Sequence, residues 1–164
     1  MDAIIRLATD VDKESVIGIL NHYIQNSMAA YPQHPMPLQA WEPMLAMCRD
    51  NNLWVAEIPG EGVVGFAMLK WYMTKDSFAH TAETGYFIHP AHTGKGLGKL
   101  LLTALEDAAK KMGVTMLVAN ISSLNPESLA FHKRTGFVEC GTIPAVGEKK
   151  GSKFDIVWVY KAIA

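Results

Sequence analysis

His92-Thr93-Gly94-Lys95-Gly96-Leu97-Gly98 lies between a strand-like run, Ala82 to Ile88, and a strongly helical one, Leu97 to Met112, in a chain of 164 residues. A glycine-rich turn that leads a strand into a helix reads as a phosphate cradle. Glycines at alternate positions let the backbone approach a ligand without Cβ clashes, and the N–H groups of a helix's first turn have no intrahelical acceptor. Those N–H groups, the positive end of the helix dipole, and Lys95 and Lys99 together favour a pyrophosphate. The spacing argues against two familiar nucleotide loops. A dinucleotide fingerprint starting at Gly94 needs glycine where Lys99 stands, and a Walker loop needs Ser or Thr where Leu100 follows Gly98-Lys99.

Working outward, Ala3 to Leu7 reads as a short strand, and Asp10 is placed to cap a helix whose apolar positions Val16, Ile17, Leu20, Tyr23 and Ile24 recur at helical spacing. Pro32, Pro35 and Pro37 exclude a continuous helix from Asn26 to Pro37, a loop able to cover a site, and Leu38 to Arg49 is helical again. Asn52 to Ile58 and Val63 to Tyr72 form a hairpin through Pro59-Gly60-Glu61-Gly62. After the glycine loop and its helix come a strand at Thr115 to Ile121 and a helix at Asn125 to Thr135. A closing strand pair follows at Phe137 to Ile143 and Phe154 to Tyr160, with Gly141, Gly147 and Gly151 suited to turns. The order βααβββαβαββ joins an antiparallel meander to a parallel βα unit, so a single α/β (α+β) domain over residues 1–164, with a central mixed sheet, is expected.

The formal net charge of −1 argues against a bulk electrostatic partner such as nucleic acid. The first residues lack the pattern of a secretory signal and no apolar run has the length of a membrane span, which points to a cytoplasmic protein without a membrane partner. Cys48 and Cys140 show no CxxC spacing and read as packing residues. His80, His89 and His92 give no zinc pattern, so no metal is expected.

The glycine cradle followed downstream by Asn125-Pro126-Glu127-Ser128-Leu129-Ala130-Phe131-His132-Lys133-Arg134-Thr135-Gly136-Phe137 resembles the GNAT superfamily of N-acetyltransferases over nearly the whole chain. Thr93 takes the usual Gln/Arg place, His132 the usual Tyr place and Arg134 the usual Lys place. Thr81 to Pro90 and Gly147 to Trp158 are most similar to the phosphinothricin acetyltransferase-like branch. That branch acetylates the amino group of small amino-acid-like compounds and is commonly homodimeric.

The resemblance implies a GNAT-type fold whose mostly antiparallel sheet is flanked by helices, and acetyl-CoA as co-substrate. Its pyrophosphate would lie on Thr93, Gly94, Lys95, Gly96, Leu97, Gly98 and Lys99, its pantetheine along Phe87 and Ile88, with further contacts from Asn125 and Ser128. Glu83, in a hydrophobic strand, matches the branch's catalytic glutamate and would deprotonate the acceptor ammonium directly or through water. His132 would donate a proton to the departing thiolate or hydrogen-bond it. Asn125 also reads as a helix cap.

Tyr31 takes the place of the aromatic in the branch's first active-site loop, which implies a contact with the substrate, but Pro32, Gln33 and His34 follow it where acidic residues are usual. Lys75 and Ala79 stand where arginines are usual, leaving Lys75 to meet a substrate carboxylate without bidentate geometry. The expected function is transfer of acetyl to a small primary amine, an amino acid or analogue. Polyamines, aminoglycosides, peptide N-termini or a non-catalytic acyl-CoA-binding role are the alternatives.

Overall fold

The computed structural model describes residues 2–163. Its elements are β1 (Ile4–Leu7), α1 (Lys13–Asn26), α2 (Trp41–Met47), β2 (Cys48–Ile58), β3 (Gly62–Trp71), β4 (Thr81–Ile88), α3 (Leu97–Lys111), β5 (Met116–Ser122), α4 (Pro126–Arg134), β6 (Val138–Lys149) and β7 (Ser152–Ala162), with short 3₁₀ turns between some of them. The strands make one sheet of order β1-β2-β3-β4-β5-β7-β6. Every neighbouring pair is antiparallel except β4 and β5. The mixed, mostly antiparallel sheet flanked by helices is the architecture that the sequence implied.

The two faces of the sheet carry separate cores. On one, α3 buries Leu97, Leu101, Leu102 and Leu105 against Ala67, Leu69, Ala82 and Leu117. On the other, α1 and α2 bury Val16, Ile17, Trp41 and Met44 against Leu53, Val55, Phe66 and Met68. At roughly 1.5–3 kcal/mol for each fully buried Leu side chain, tertiary burial outweighs the few tenths of a kcal/mol that separate most residues in helix propensity. The amphipathic stripe of α3 therefore fixes its orientation over the sheet.

Several local expectations are corrected. Asp10 does not cap α1: its carboxylate accepts the Trp41 indole N–H at 3.0 Å, tying α2 to the first turn. Asp12 instead accepts the Thr9 N–H at 2.8 Å and pairs with Arg6. The helix expected from Leu38 to Arg49 is a 3₁₀ turn followed by α2, which stops at Met47. Arg49 belongs to β2, where it lies over the Trp71 ring at 4.6 Å and donates to the Ala79 carbonyl at 2.9 Å. Asp50 and Asn51 then take positive φ and shift the β2 register. Gly141 and Gly147 lie inside β6, next to register shifts, and only Gly151 is in the turn. A Cβ at Gly147 would meet the Phe154 ring at 2.2 Å, so close approach decides that glycine. Cys48 is buried as expected, but Cys140 is exposed.

Candidate active site

β4 and β5 pair through only three positions, Thr81↔Met116, Ala82↔Leu117 and Glu83↔Val118. Beyond them the strands separate, β5 continuing on β7 and β4 on β3. A parallel pair that parts opens the sheet between two otherwise satisfied strands. The gap belongs to a cleft of about 1790 Å³ bounded by β4 from Glu83 to Ile88, β5 from Ala119 to Ser122, the glycine turn, α4 and the loop that carries Tyr31.

One arm of the cleft is built of backbone. Gly94 and Gly96 have φ of +72° and +83°, and a Cβ on either would meet nothing within 4 Å, so conformation rather than crowding requires glycine there. Gly96 precedes α3 with no side-chain cap, which leaves the first-turn N–H groups without an intrahelical partner. Gly98 serves a different need: its Cβ would come within 3.2 Å of Phe131, so its bareness lets α3 and α4 pack closely. Leu97 is buried in the core below.

Thr93, Gly94, Gly96, Leu97, Gly98 and Lys99 line the cleft, as do Phe87, Ile88, Asn125 and Ser128. The Lys95 side chain turns away from it, its Nζ donating to the Ala91 carbonyl at 3.0 Å. Asn125 caps α4 by accepting the Ser128 N–H at 3.3 Å.

His132 sits at the floor, 3% exposed, among Tyr86, Phe131 and Phe137. Its Nδ1 lies 2.7 Å from the Ser128 carbonyl oxygen, so Nδ1 carries the proton and donates, while Nε2 is buried and has no partner among the described residues. Desolvation lowers the imidazole pKa, outweighing the Ser128 bond. The neutral ring therefore presents an accepting lone pair at Nε2.

The other arm is built of side chains. Glu83 of β4 stands directly across from Lys70 of β3, and Lys70 Nζ lies 2.9 Å from Glu83 Oε1. The same oxygen accepts Asn120 Nδ2–H from β5 at 2.7 Å. Asn120 Oδ1 in turn accepts the Tyr31 hydroxyl at 2.8 Å, and the Tyr31 ring stacks on Phe154 at 5.7 Å. Partial burial, with the Glu83 charge adding to it, pushes the Tyr31 phenol up to about 12. Behind the loop, the buried Lys149 ammonium donates to the Ser27 carbonyl at 2.8 Å and the Ala30 carbonyl at 2.6 Å. Glu83 and Tyr31 are thus brought together, whereas Lys75 lies outside the cleft at the start of a 3₁₀ turn.

Lys70, Asn120 and Lys149 escaped the sequence reading. Lys70 and Asn120 had a signal: each is a lone strongly polar residue in an apolar strand. Lys149 had none. Among the described residues, no group of three or more His, Cys, Asp and Glu gathers as a metal site, and no helix is long and apolar enough to cross a membrane.

A sheet opened between two parallel strands, with uncapped helix amides on one arm and a hydrogen-bonded carboxylate on the other, is the design of an acyl-CoA-dependent transferase. The sequence profile of the Acetyltransferase (GNAT) family matches residues 16–137, and the chain belongs to that family. It is 34% identical over 158 residues to the L-amino acid N-acyltransferase MnaT of Escherichia coli, covering 94% of this chain and 91% of the relative. The L-methionine sulfoximine/L-methionine sulfone acetyltransferase of Salmonella typhimurium is 32% identical with the same coverage. The crystal structure of a phosphinothricin acetyltransferase from Sinorhizobium meliloti in complex with acetyl-CoA superposes with a TM-score of 0.92 at 25% identity, covering 100% of this chain and 90% of that one.

Proposed function

We propose that the chain, as one domain over residues 1–164, acetylates the primary amine of a small amino acid or amino-acid analogue. The observation that carries this reading is the placement of Glu83 and an uncapped, left-handed glycine turn on opposite arms of one cleft. Relatives named for L-amino acids and for methionine sulfoximine and sulfone support the acceptor class.

Acetyl-CoA, when bound, supplies an acyl group activated as a thioester, and direct transfer forms the amide C–N bond as the C–S bond breaks. The glycine turn fits its pyrophosphate, because the free amides of Leu97, Gly98 and Lys99 and the Lys99 ammonium are complementary to anionic oxygens. Thr93, Gly94 and Gly96 shape that turn, and Lys95 holds it through Ala91. Phe87 and Ile88, on the part of β4 that β5 has left, fit the pantetheine arm, with Asn125 and Ser128 at the α4 end.

Glu83 takes one of the two protons that the acceptor nitrogen loses, and the other ends on the CoA sulfur. His132 meets that sulfur as an acceptor through Nε2, since its own proton is held by Ser128. Tyr31 closes over the acceptor and orients Asn120. Lys75 does not line the cleft, so it is not assigned the acceptor's carboxylate.

The protein acts in the cytoplasm, and the near-zero net charge fits a small-molecule rather than a nucleic-acid or membrane partner. It works as a homodimer: β6 is a 12-residue edge strand exposing Val138, Ile143 and Val146, a surface that a second copy would cover. Light scattering at working concentration reads the dimer directly, and a monomer rejects it.

The function is tested by acetyl-CoA-dependent thiol release with methionine sulfone, methionine sulfoximine, phosphinothricin, polyamines, an aminoglycoside and short peptides. Acceleration by an amino-acid analogue supports the reading. Acceleration by polyamines, an aminoglycoside or peptides alone moves the acceptor class, and acetyl-CoA binding with no accelerated release leaves a binding module.

A further inference from the structure

Glu83 and Lys70 occupy facing positions of β4 and β3 on the same side of the sheet, and both line the cleft. Their side chains are 15% and 23% exposed, sheltered enough for orientation to matter and open enough to receive a ligand. Two structural details leave the pair unsaturated. Lys70 Nζ and Asn120 Nδ2 both bond to Oε1 of Glu83, and among the described residues no hydrogen bond reaches Oε2. Among the described residues Lys70 donates once, to Glu83, although an ammonium has three N–H donors.

We propose that Lys70 and Glu83 form a two-charge subsite for a zwitterion, with the acceptor's ammonium on Glu83 and its carboxylate on Lys70, so that Lys70 determines specificity for α-amino acids. The inference rests on the acetyltransferase reading of this cleft and adds the element that chooses the acceptor. An α-amino acid zwitterion carries opposite charges on two groups attached to one carbon, and the facing ion pair presents the reverse order of charge. A polyamine would bring a second cation toward Lys70 instead, with no carboxylate to offset it.

The lining of the same cleft includes Met36, Met44, Met47 and Met68. Unbranched, polarizable thioethers adapt to an apolar acceptor side chain. Lys70 supplies the cation that Lys75 and Ala79 do not, as a point charge rather than a bidentate fork.

The test compares methionine sulfone with its carboxamide and its decarboxylated amine, as acceptors for wild-type protein, Lys70→Met and Lys70→Arg. Wild type should prefer the amino acid, and Lys70→Met should raise its KM on the order of 10- to 100-fold, as expected for a hydrogen bond to a charged group. KM for the two carboxylate-free acceptors should move less than about threefold on the same scale, and Lys70→Arg should restore most of the loss. Altered support of Glu83 would instead change kcat for all three acceptors together, so the KM split separates the roles. Equal treatment of amino acid and carboxamide by wild type overturns the subsite even if Lys70→Met fails to fold, while the acetyltransferase reading stands. Wild type that acetylates none of the three while binding acetyl-CoA overturns both.

Discussion

The two arms of the cleft are made of different material. In the glycine arm the groups proposed to meet the ligand are backbone amides, joined by the Lys99 ammonium, and the other side chains there are occupied elsewhere: Leu97 in the core, Lys95 on Ala91, Thr93 on the Pro90 carbonyl. In the carboxylate arm every useful atom belongs to a side chain, drawn from β3, β4, β5 and the Tyr31 loop. A backbone site depends on conformation and tolerates most side-chain changes. A site made of converging side chains depends on single atoms.

The largest effect should come from Glu83→Gln, which keeps the shape of the side chain and removes its basicity. Turnover should fall by about 10²- to 10⁴-fold, the usual worth of a positioned general base, with acetyl-CoA affinity by calorimetry unchanged. Turnover near wild type would remove the base role and with it the meaning of the contrast. In the other arm, Gly96→Val forces a β-branched residue to φ +83°. That conformation costs an ordinary L-residue roughly 1–2 kcal/mol, so acetyl-CoA affinity should drop about tenfold, with kcat at saturating acetyl-CoA nearly intact. Lys95→Ala should change affinity by less than about twofold on that scale. A larger loss from Lys95→Ala than from Gly96→Val would break the backbone description of this arm.

The same difference explains what could be read in advance. The glycine arm is contiguous, a strand, a turn and a helix start within Phe87 to Lys99, and local chemistry suffices to recognise it. His132 and Ser128 are four apart on α4 and were equally accessible. The carboxylate arm requires the register of β3 on β4 and of β5 beside β4. The segment Tyr72–His80 that joins β3 to β4 contains a 3₁₀ turn rather than a short hairpin, so no turn rule fixes that register. Lys75 is the cation that the family resemblance offers, at a place where arginine is usual, and the pairing of Lys70 with Glu83 emerges only from the folded sheet. Lys149 lies beyond local reasoning altogether, since its partners Ser27 and Ala30 are more than a hundred residues away.

Lys149→Met sharpens the contrast further, because it touches only the carboxylate arm and does so at one remove. Losing the donor to two carbonyls should destabilise by about 1–3 kcal/mol, or roughly 2–4 °C in Tm per kcal/mol at this chain length. With its tether to β6 gone, the Tyr31 loop should raise the acceptor's KM severalfold while acetyl-CoA affinity holds. A change in acetyl-CoA affinity instead would mean that the arms are coupled through the sheet.

The smallest effect belongs to His132, which stands between the arms. Burial lowers its folded-state pKa below the unfolded value of about 6.5. As pH falls through that value the unfolded chain takes up a proton that the folded chain refuses, so stability declines with acid at no more than about 1.4 kcal/mol per pH unit, until the folded ring also protonates. Asp12, whose pKa is held below its usual 3.8 by its hydrogen bonds to Arg6, adds a loss only in a more acidic window. In His132→Asn the slope of Tm between about pH 6.5 and 5 should shrink while the limb below about pH 4 persists, each window following its residue's unfolded pKa. An unchanged upper slope would mean that the ring protonates as easily folded as unfolded. Nε2 would then be a donor in mildly acidic solution, and the acceptor role assigned to it at the sulfur would fail.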